Sequence, residues 1–218
     1  MKNLILGKNI LENNDEIAGK IRDEMKDIFT INLLGSPGAG KTSVLEELID
    51  NIKDKYNMAV IEGDLYTSKD GERIEKHNVK VVQVNTGGGC HLEASMVERA
   101  LKDIDKEGLD FLVIENVGNL VCPASYDLGE DMKVVVMSVT EGNDKPLKYP
   151  SMFQRSSVVI LNKIDMIHLT DFNKEEFYRD VNSLNKDIKV VEISCRENKG
   201  LGELTGYFTS KIEGKRAK

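Results

Sequence analysis

Short apolar runs alternate with amphipathic stretches along most of this chain. Runs of consecutive apolar residues predict strands at 31–35, 57–62, 79–84, 110–115, 133–139, 157–162 and 189–193. Between the runs, apolar residues recur every three or four positions, which predicts helices at 41–53, 68–77, 91–104, 173–184 and 201–213. Ahead of the first strand, five apolar residues are spaced among charges and predict an amphipathic helix over about 8–28: Ile10, Ile17, Ile21, Met25 and Ile28.

This order of elements predicts an α/β protein. Strands that are apolar on both faces belong to a mostly parallel sheet covered by helices on each side. We therefore expect a three-layer α/β/α sandwich with a sheet of about seven strands. The chain has 218 residues and no linker rich in Pro or Ser, so a single domain over 1–218 is predicted.

The charge and composition of the chain argue against some classes of partner. The chain has 30 Lys and Arg against 37 Asp and Glu, a net charge of −7, and no basic cluster before the short tail at 215–218. Nucleic acid is therefore not expected as the main partner. The chain contains no run of eighteen apolar residues and no secretory signal pattern at its N-terminus, so we expect no membrane association and a cytoplasmic location. Three widely spaced cysteines do not favour a disulfide framework.

A glycine-rich segment after the first predicted strand fits the phosphate-binding pattern G-x-x-x-x-G-K-[ST]. Its glycines let backbone N–H groups turn toward phosphate oxygens, and the next helix adds its positive end. Lys41 can reach the β- and γ-phosphates, and the Thr42 hydroxyl can bind Mg²⁺. The predicted phosphate-binding residues are Gly35, Ser36, Pro37, Gly38, Ala39, Gly40, Lys41, Thr42 and Ser43.

A second motif, Asn162-Lys163-Ile164-Asp165, follows another apolar strand and selects the base. The carboxylate of Asp165 can accept hydrogen bonds from N1–H and the exocyclic amino group of guanine, a donor pair that adenine lacks. Asn162 can brace the loop, and the Lys163 stem can cover the base. Ser194 and Cys195 follow the last strand, where backbone contacts to guanine are expected. The predicted nucleotide is GTP.

Acidic residues at strand ends are candidates for magnesium binding and hydrolysis. Glu115 ends the run Phe-Leu-Val-Ile, and Gly118 follows it as a candidate donor to the γ-phosphate. Asp64 and Asp70 lie after the second strand, where they can contact Mg²⁺ through water or orient the attacking water. Within the same segment, residues 67 and 68 have the composition of a helix N-cap. The predicted catalytic set is Lys41, Asp64, Asp70 and Glu115.

Cys90-His91 and Cys122 offer two thiols and an imidazole, donors that suit Zn²⁺ or Ni²⁺. Three protein donors fall one short of a tetrahedral site, so water or a second subunit would complete it. From the residues alone, small buried thiols are the more ordinary interpretation. None of the motifs contains a water-orienting Gln or an arginine finger, so slow hydrolysis is expected.

Taken together and in this order, these segments resemble the hydrogenase nickel-insertion GTPases, the HypB family of SIMIBI-class P-loop proteins. The longest matching strings are 115–123 (ENVGNLVCP) and 141–150 (EGNDKPLKYP). The resemblance implies a GTP-promoted homodimer that assists nickel insertion into the [NiFe]-hydrogenase large subunit together with other maturation factors. It also implies metal binding by Cys90, His91 and Cys122 near the dimer interface, and contact of Lys148 with the guanine region.

The chain departs from the family pattern at three places, one of which is Gly88-Gly89, where the family more usually has Gly-Lys or another Gly-Xaa pair ahead of Cys90. Residues 1–30 contain neither Cys nor His, so nickel storage is not expected. Gly71 stands where the family usually has Ala. Three other functions remain open: a urease-type nickel accessory GTPase, a GTP-binding switch without a metal-delivery role, and an ATP-dependent kinase on the same fold. The first would carry Cys-Pro-His and Glu-Ser-Gly-Gly motifs, and the last would leave 162–165 unexplained.

Overall fold

The computed structural model describes residues 6–217 of the chain, with side chains from residue 11 onward. Seven strands within this range form one fully parallel sheet in the order β3-β2-β4-β1-β5-β6-β7. The strands are β1 (Phe29–Gly35), β2 (Met58–Asp64), β3 (Lys80–Asn85), β4 (Phe111–Glu115), β5 (Met132–Ser138), β6 (Val158–Asn162) and β7 (Lys189–Glu192). The predicted three-layer α/β/α sandwich is confirmed.

Helices cover both faces of the sheet. In chain order they are α1 (Leu6–Glu24), α2 (Lys41–Ile52), α3 (Lys69–Glu75), α4 (Ala94–Ala100), α5 (Cys122–Ser125), α6 (Lys145–Lys148), α7 (Pro150–Gln154), α8 (Lys174–Leu184) and α9 (Leu201–Arg216). Apolar residues of α2, α3 and α9 pack on one face, while those of α1, α4, α7 and α8 pack on the other. Alternate residues of each strand therefore enter different cores.

Two predicted helix boundaries were wrong. The first helix ends at Glu24 instead of 28, because the chain turns over 25–27 to bring Ile28 into the core before β1 begins. The helix predicted over 91–104 spans only Ala94–Ala100 and is followed by a 3-10 turn at Leu101–Asp103. Leu92 cannot join that helix because its N–H donates to the side chain of Asn116, 3.0 Å away.

The sheet topology places every candidate segment at one edge. In a parallel sheet all strands end on the same side, and the order reverses between β1 and its neighbours, which opens a crevice there. The segments that follow the seven strands carry the predicted functional residues, including Lys148 on α6 after β5. Among residues 6–217, none of the helices combines the length and apolar character needed to cross a bilayer.

Candidate nucleotide and metal site

The phosphate-binding segment wraps from the end of β1 to the start of α2. Gly38 and Gly40 have φ of 79° and 97°, in the left-handed region that favours glycine. A Cβ on Gly40 would lie 2.4 Å from the Asn162 Nδ2 atom, so the loop also passes too close to β6 for any larger residue. Lys41 and Thr42 are nearly buried at the helix start. The local geometry is that of a phosphate cradle.

A cavity of about 470 Å³ opens beside this loop. The predicted residues Pro37, Gly38, Gly40, Lys41, Thr42, Ser43, Asp64, Asp70, Glu115, Gly118 and Lys163 line it. Gly118 packs closely on the loop, since a Cβ there would be 3.0 Å from Pro37. The structure thus brings together residues from three separate strand ends that the sequence assigned to phosphate and magnesium.

Glu115 is buried at the floor of this cavity. Its Oε1 accepts a hydrogen bond of 2.9 Å from the Thr42 hydroxyl, whereas Oε2 is buried without a hydrogen-bond partner. Burial raises the pKa of Glu115 to about 7, although Lys41 and Thr42 oppose the shift. An unpaired carboxylate oxygen beside a hydroxyl is a donor set that fits Mg²⁺, a hard cation.

The segment after β2 is organised by Asp64. Its carboxylate accepts hydrogen bonds from the Thr67 hydroxyl at 2.8 Å and from the backbone of Tyr66 at 3.2 Å. Although burial opposes the shift, these bonds lower the pKa of Asp64. Ser68 occupies the N-cap position of α3, one of the two positions predicted, but its hydroxyl donates to Glu72 and makes no capping bond to the backbone.

Two charged residues that line the cavity are absent from the predicted site. Arg73, on α3, donates to Asp70 at 3.1 Å, to Ser43 at 3.1 Å and to Glu46 at 2.5 Å. Glu62, on β2, is 3% exposed and lies in register with Glu115 on β4. Burial, and then the Glu115 carboxylate, raise the pKa of Glu62 to about 8. The signal for Glu62 was available, because it follows an apolar run as Glu115 does.

A second cavity of about 440 Å³ lies next to the first and is lined by four of the residues predicted to contact guanine: Asn162, Lys163, Asp165 and Cys195. Asn162 donates to Ala39 O at 3.1 Å and so joins β6 to the phosphate loop. Lys163 has φ of 61°, and its Nζ donates to Gly38 O at 2.7 Å. The Ser194 hydroxyl donates to Asp165 at 2.6 Å, which fixes that carboxylate at the cavity wall.

Cys195 and Lys148 were both predicted to contact the nucleotide, but only Cys195 lines one of the two cavities. The thiol of Cys195 lines the guanine cavity, 3.7 Å from Asn162 Oδ1, and burial raises its pKa to about 11. Lys148 lies on α6, pairs with Asp144 and lines neither cavity. The contact of Lys148 with the guanine region stays a prediction.

Cys90, His91 and Cys122 converge, with one potential donor atom from each lying within 4.8 Å of the others. Cys90 Sγ is 3.4 Å from His91 Nδ1, and the His91 ring lies 3.9 Å from that of Tyr126. The neighbouring Cys122 thiol raises the pKa of Cys90, and burial lowers that of His91. His91 Nε2 is buried without a hydrogen bond, so the trio offers soft donors suited to Zn²⁺ or Ni²⁺.

The loops that carry this trio are bonded to the phosphate-site loops. Thr86 N donates to Asp64 O at 2.9 Å, and the side chain of Asn119 donates to Cys90 O at 3.4 Å. The Asn116 side chain, beside Glu115, accepts the bond from Leu92 N and donates to Asn32 at 3.2 Å. Hydrogen bonds therefore connect the loops of the two candidate sites directly.

The first helix also reaches this region. Asn14, on α1, is 5% exposed and accepts a bond of 2.9 Å from Ala94 N, at the start of α4. Its amide donates to Asp127 O at 2.8 Å. One side chain thus ties α1 to both segments that follow the cysteine-bearing loops.

Comparison with known proteins identifies the family. The sequence model of the CobW/HypB/UreG nucleotide-binding domain matches residues 29–192. The chain is 48% identical over 205 residues to the hydrogenase maturation factor HypB of Azotobacter chroococcum mcd 1, covering 92% of this chain and 67% of the relative. It is 38% identical over 212 residues to the probable hydrogenase maturation factor HypB of Methanocaldococcus jannaschii, covering 96% of each.

Comparison with solved structures identifies the same family. The crystal structure of HypB from Helicobacter pylori in complex with nickel superposes with a TM-score of 0.88 at 39% identity, covering 93% of this chain and 96% of that one. The chain spans about two thirds of the length of the Azotobacter relative and nearly all of the archaeal and Helicobacter proteins. This chain therefore belongs to the HypB family of hydrogenase maturation factors.

Proposed function

We propose that this chain is a GTP-hydrolysing metallochaperone that assists nickel insertion into the large subunit of a [NiFe]-hydrogenase. The observation that carries the proposal is the juxtaposition of a thiol–imidazole trio with the nucleotide site. Thr86 N bonds to Asp64 O, and Leu92 N bonds to Asn116, so short hydrogen-bonded paths join the loops of the two sites. The relatives' names and the nickel-bound neighbour support the same function.

In this proposal the nucleotide is held at both ends. Lys41 and the loop amides bind the phosphates, while Asn162 and Asp165 select guanine. Thr42 and Glu115 hold Mg²⁺, with Asp64 and Asp70 beside them; bound there, the cation neutralises charge on the β- and γ-phosphates. Arg73 supplies a cation close to the phosphate cavity, but its pairing with Glu46 and Asp70 occupies it. We therefore expect slow turnover by the isolated chain.

Nickel, or zinc in its place, is the cargo. Cys90, His91 and Cys122 supply three donors, and a second copy of the chain supplies the remainder in a GTP-promoted homodimer. If GTP favours that dimer, linkage requires nucleotide and metal to change each other's affinity by the same factor. Hydrolysis then lowers metal affinity at the time of transfer. A GTP switch without metal delivery is the competing function.

The proposal is tested by titrating Ni²⁺ into the protein with GDP or with a non-hydrolysable GTP analogue. Cys122→Ala removes one donor and is expected to weaken Ni²⁺ binding by roughly a hundredfold, about 2.7 kcal/mol. Cys195→Ala is the matched control, because it removes a thiol outside the trio. Light scattering on the same samples reports the dimer. Equal Ni²⁺ affinity of wild type and Cys122→Ala, or equal affinity with both nucleotides, contradicts metal delivery.

A further inference from the structure

Glu62 lies in the phosphate cavity with no role in the motifs that identify the family. It is 3% exposed, and it points to the face of the sheet that α2 and α3 cover, as Val60 does two residues earlier. Its strand neighbour across the sheet is Glu115. Two buried carboxylates therefore stand side by side on the floor of one cavity.

Gln83 fixes the orientation of Glu62. The two residues are paired in the register of β2 and β3, and Gln83 Nε2 donates a hydrogen bond to Glu62 Oε2. Among the described residues, no other hydrogen bond to the Glu62 carboxylate is formed. Glu62 Oε1 is consequently left as an acceptor for a ligand in the cavity that Glu62 lines.

The surrounding charges indicate which partner fits. One oxygen each from Glu62, Asp64 and Asp70 lie within 4.8 Å of one another. Independently of that cluster, Glu115 Oε2 is buried beside it without a hydrogen bond. Lys41 is the nearest cation in the phosphate loop, and Arg73 is already shared between Asp70 and Glu46. Four carboxylates in one cavity are stabilised by a divalent cation or by the water that such a cation carries.

Mg²⁺ bound to a nucleotide keeps several water molecules, because it is strongly hydrated and octahedral. Those waters donate hydrogen bonds, and a carboxylate is the strongest acceptor for them. We propose that Glu62 accepts hydrogen bonds from the water shell of the nucleotide-bound Mg²⁺, and that Gln83 is the positioning residue for its carboxylate. The inference rests on the proposed binding of Mg²⁺ and GTP, and adds to it a residue that contacts the water shell of the cation.

The test separates metal affinity from nucleotide affinity. Fluorescent mant-GDP is bound to the protein in EDTA, and then Mg²⁺ is titrated. Glu62→Gln preserves size and a hydrogen bond to Gln83 but removes the charge, so Mg²⁺ affinity of the GDP complex is expected to fall roughly tenfold or more. Affinity for mant-GDP in EDTA stays within about threefold of wild type. Glu75→Gln, an exposed carboxylate on the same helix as Asp70, is the matched control.

Gln83→Leu provides a second variant that leaves Glu62 in place. It is expected to weaken Mg²⁺ binding by a smaller factor, on the order of threefold to tenfold, because the carboxylate is no longer oriented. The electron paramagnetic resonance spectrum of bound Mn²⁺, a readout independent of turnover, should change in both variants. A purely structural role for Gln83 would change thermal stability without moving either metal measurement.

The outcomes distinguish the two proposals. If wild type binds mant-GDP and Mg²⁺, and both variants match it in Mg²⁺ affinity, the role of Glu62 is overturned while the nucleotide function stands. If wild type binds no guanine nucleotide, the proposed function itself fails and this inference falls with it. Weaker Mg²⁺ binding in Glu62→Gln with unchanged affinity in EDTA supports the assignment.

Discussion

The two ends of the nucleotide site are built differently. At the guanine end, the polar side chains already have protein partners: Asn162 bonds to Ala39 O, Lys163 to Gly38 O, and Ser194 to Asp165. At the end formed by β2, β3 and β4, three buried polar atoms among the described residues have no hydrogen bond: Gln83 Oε1, His91 Nε2 and Glu115 Oε2. The predicted guanine end is preorganised by bonds within the protein, whereas we expect cations to complete the other end. This difference predicts opposite responses to mutation and to pH.

Breaking the guanine end should have the largest effect. Asp165→Asn replaces an acceptor by an amide that donates to the 2-oxo group of xanthine and repels the 2-amino group of guanine. The ratio of GTP to XTP affinity is expected to fall on the order of a thousandfold. Competition of each nucleotide against mant-GDP measures it. Asp171→Asn, an exposed aspartate six residues along, should leave the ratio unchanged. An unaltered ratio in Asp165→Asn would contradict guanine recognition by this residue.

The cation-completed end should make stability depend on pH. Folding raises the pKa of Glu115 to about 7 and of Glu62 to about 8, from 4.5 in both cases. Folding therefore favours the protonated form of both carboxyl groups. Their contribution to the free energy of unfolding is fully present below about pH 4.5 and is lost as the pH rises through the folded-state pKa values of about 7 and about 8. Without nucleotide and metal, the melting temperature should fall over that window. Replacing both by Gln should flatten the profile, and Mg²⁺ with GDP should reverse the loss.

The smallest effect is expected from a substitution at Gly71, which lies close to the Gln83 side chain. A Cβ at Gly71 would lie 2.4 Å from Gln83 Oε1, the end of a flexible side chain, so Gly71→Ala displaces the residue that orients Glu62. Helix propensity favours Ala by about 0.5–1 kcal/mol, which offsets the strain. Mg²⁺ affinity should fall by less than about threefold. Gly206→Ala, a helical glycine with open space around it, isolates the propensity gain in denaturation experiments.

The sequence predicts the strands well because each is a buried apolar run whose length and spacing are local properties. The short helices α5, α6 and α7 were missed, since four or five residues are too few to display a helical period. The helix predicted from 91 begins later because the Asn116 side chain, twenty-four residues ahead of Leu92, captures a backbone N–H. Such a long-range bond leaves no trace in local periodicity.

For the site, the motifs predict residues whose chemistry is local to a loop, such as Lys41 and Thr42. Gln83 is not found in this way, because it lies within a strand and its contact with Glu62 depends on the strand register. Glu62 follows an apolar run as Glu115 does, but its position beside Glu115 depends on the register of β2 and β4. Arg73 is not found from the motifs, because its contacts depend on the packing of α3 beside α2, where its side chain donates to Glu46 and Ser43. The cavity is completed by residues that meet through the packing of strands and helices and not through proximity along the chain.

The buried Asn14 side chain sets an uneven mutational tolerance on the first helix. Residues 11–13 are exposed, and a library of random substitutions should accept most changes there. Replacing Asn14 by any apolar residue would leave Ala94 N and Asp127 O without this partner inside the protein. Selection for the loops that carry Cys90, His91 and Cys122 therefore extends to a position more than seventy residues upstream of the cysteines, one that the motifs alone would leave as freely variable.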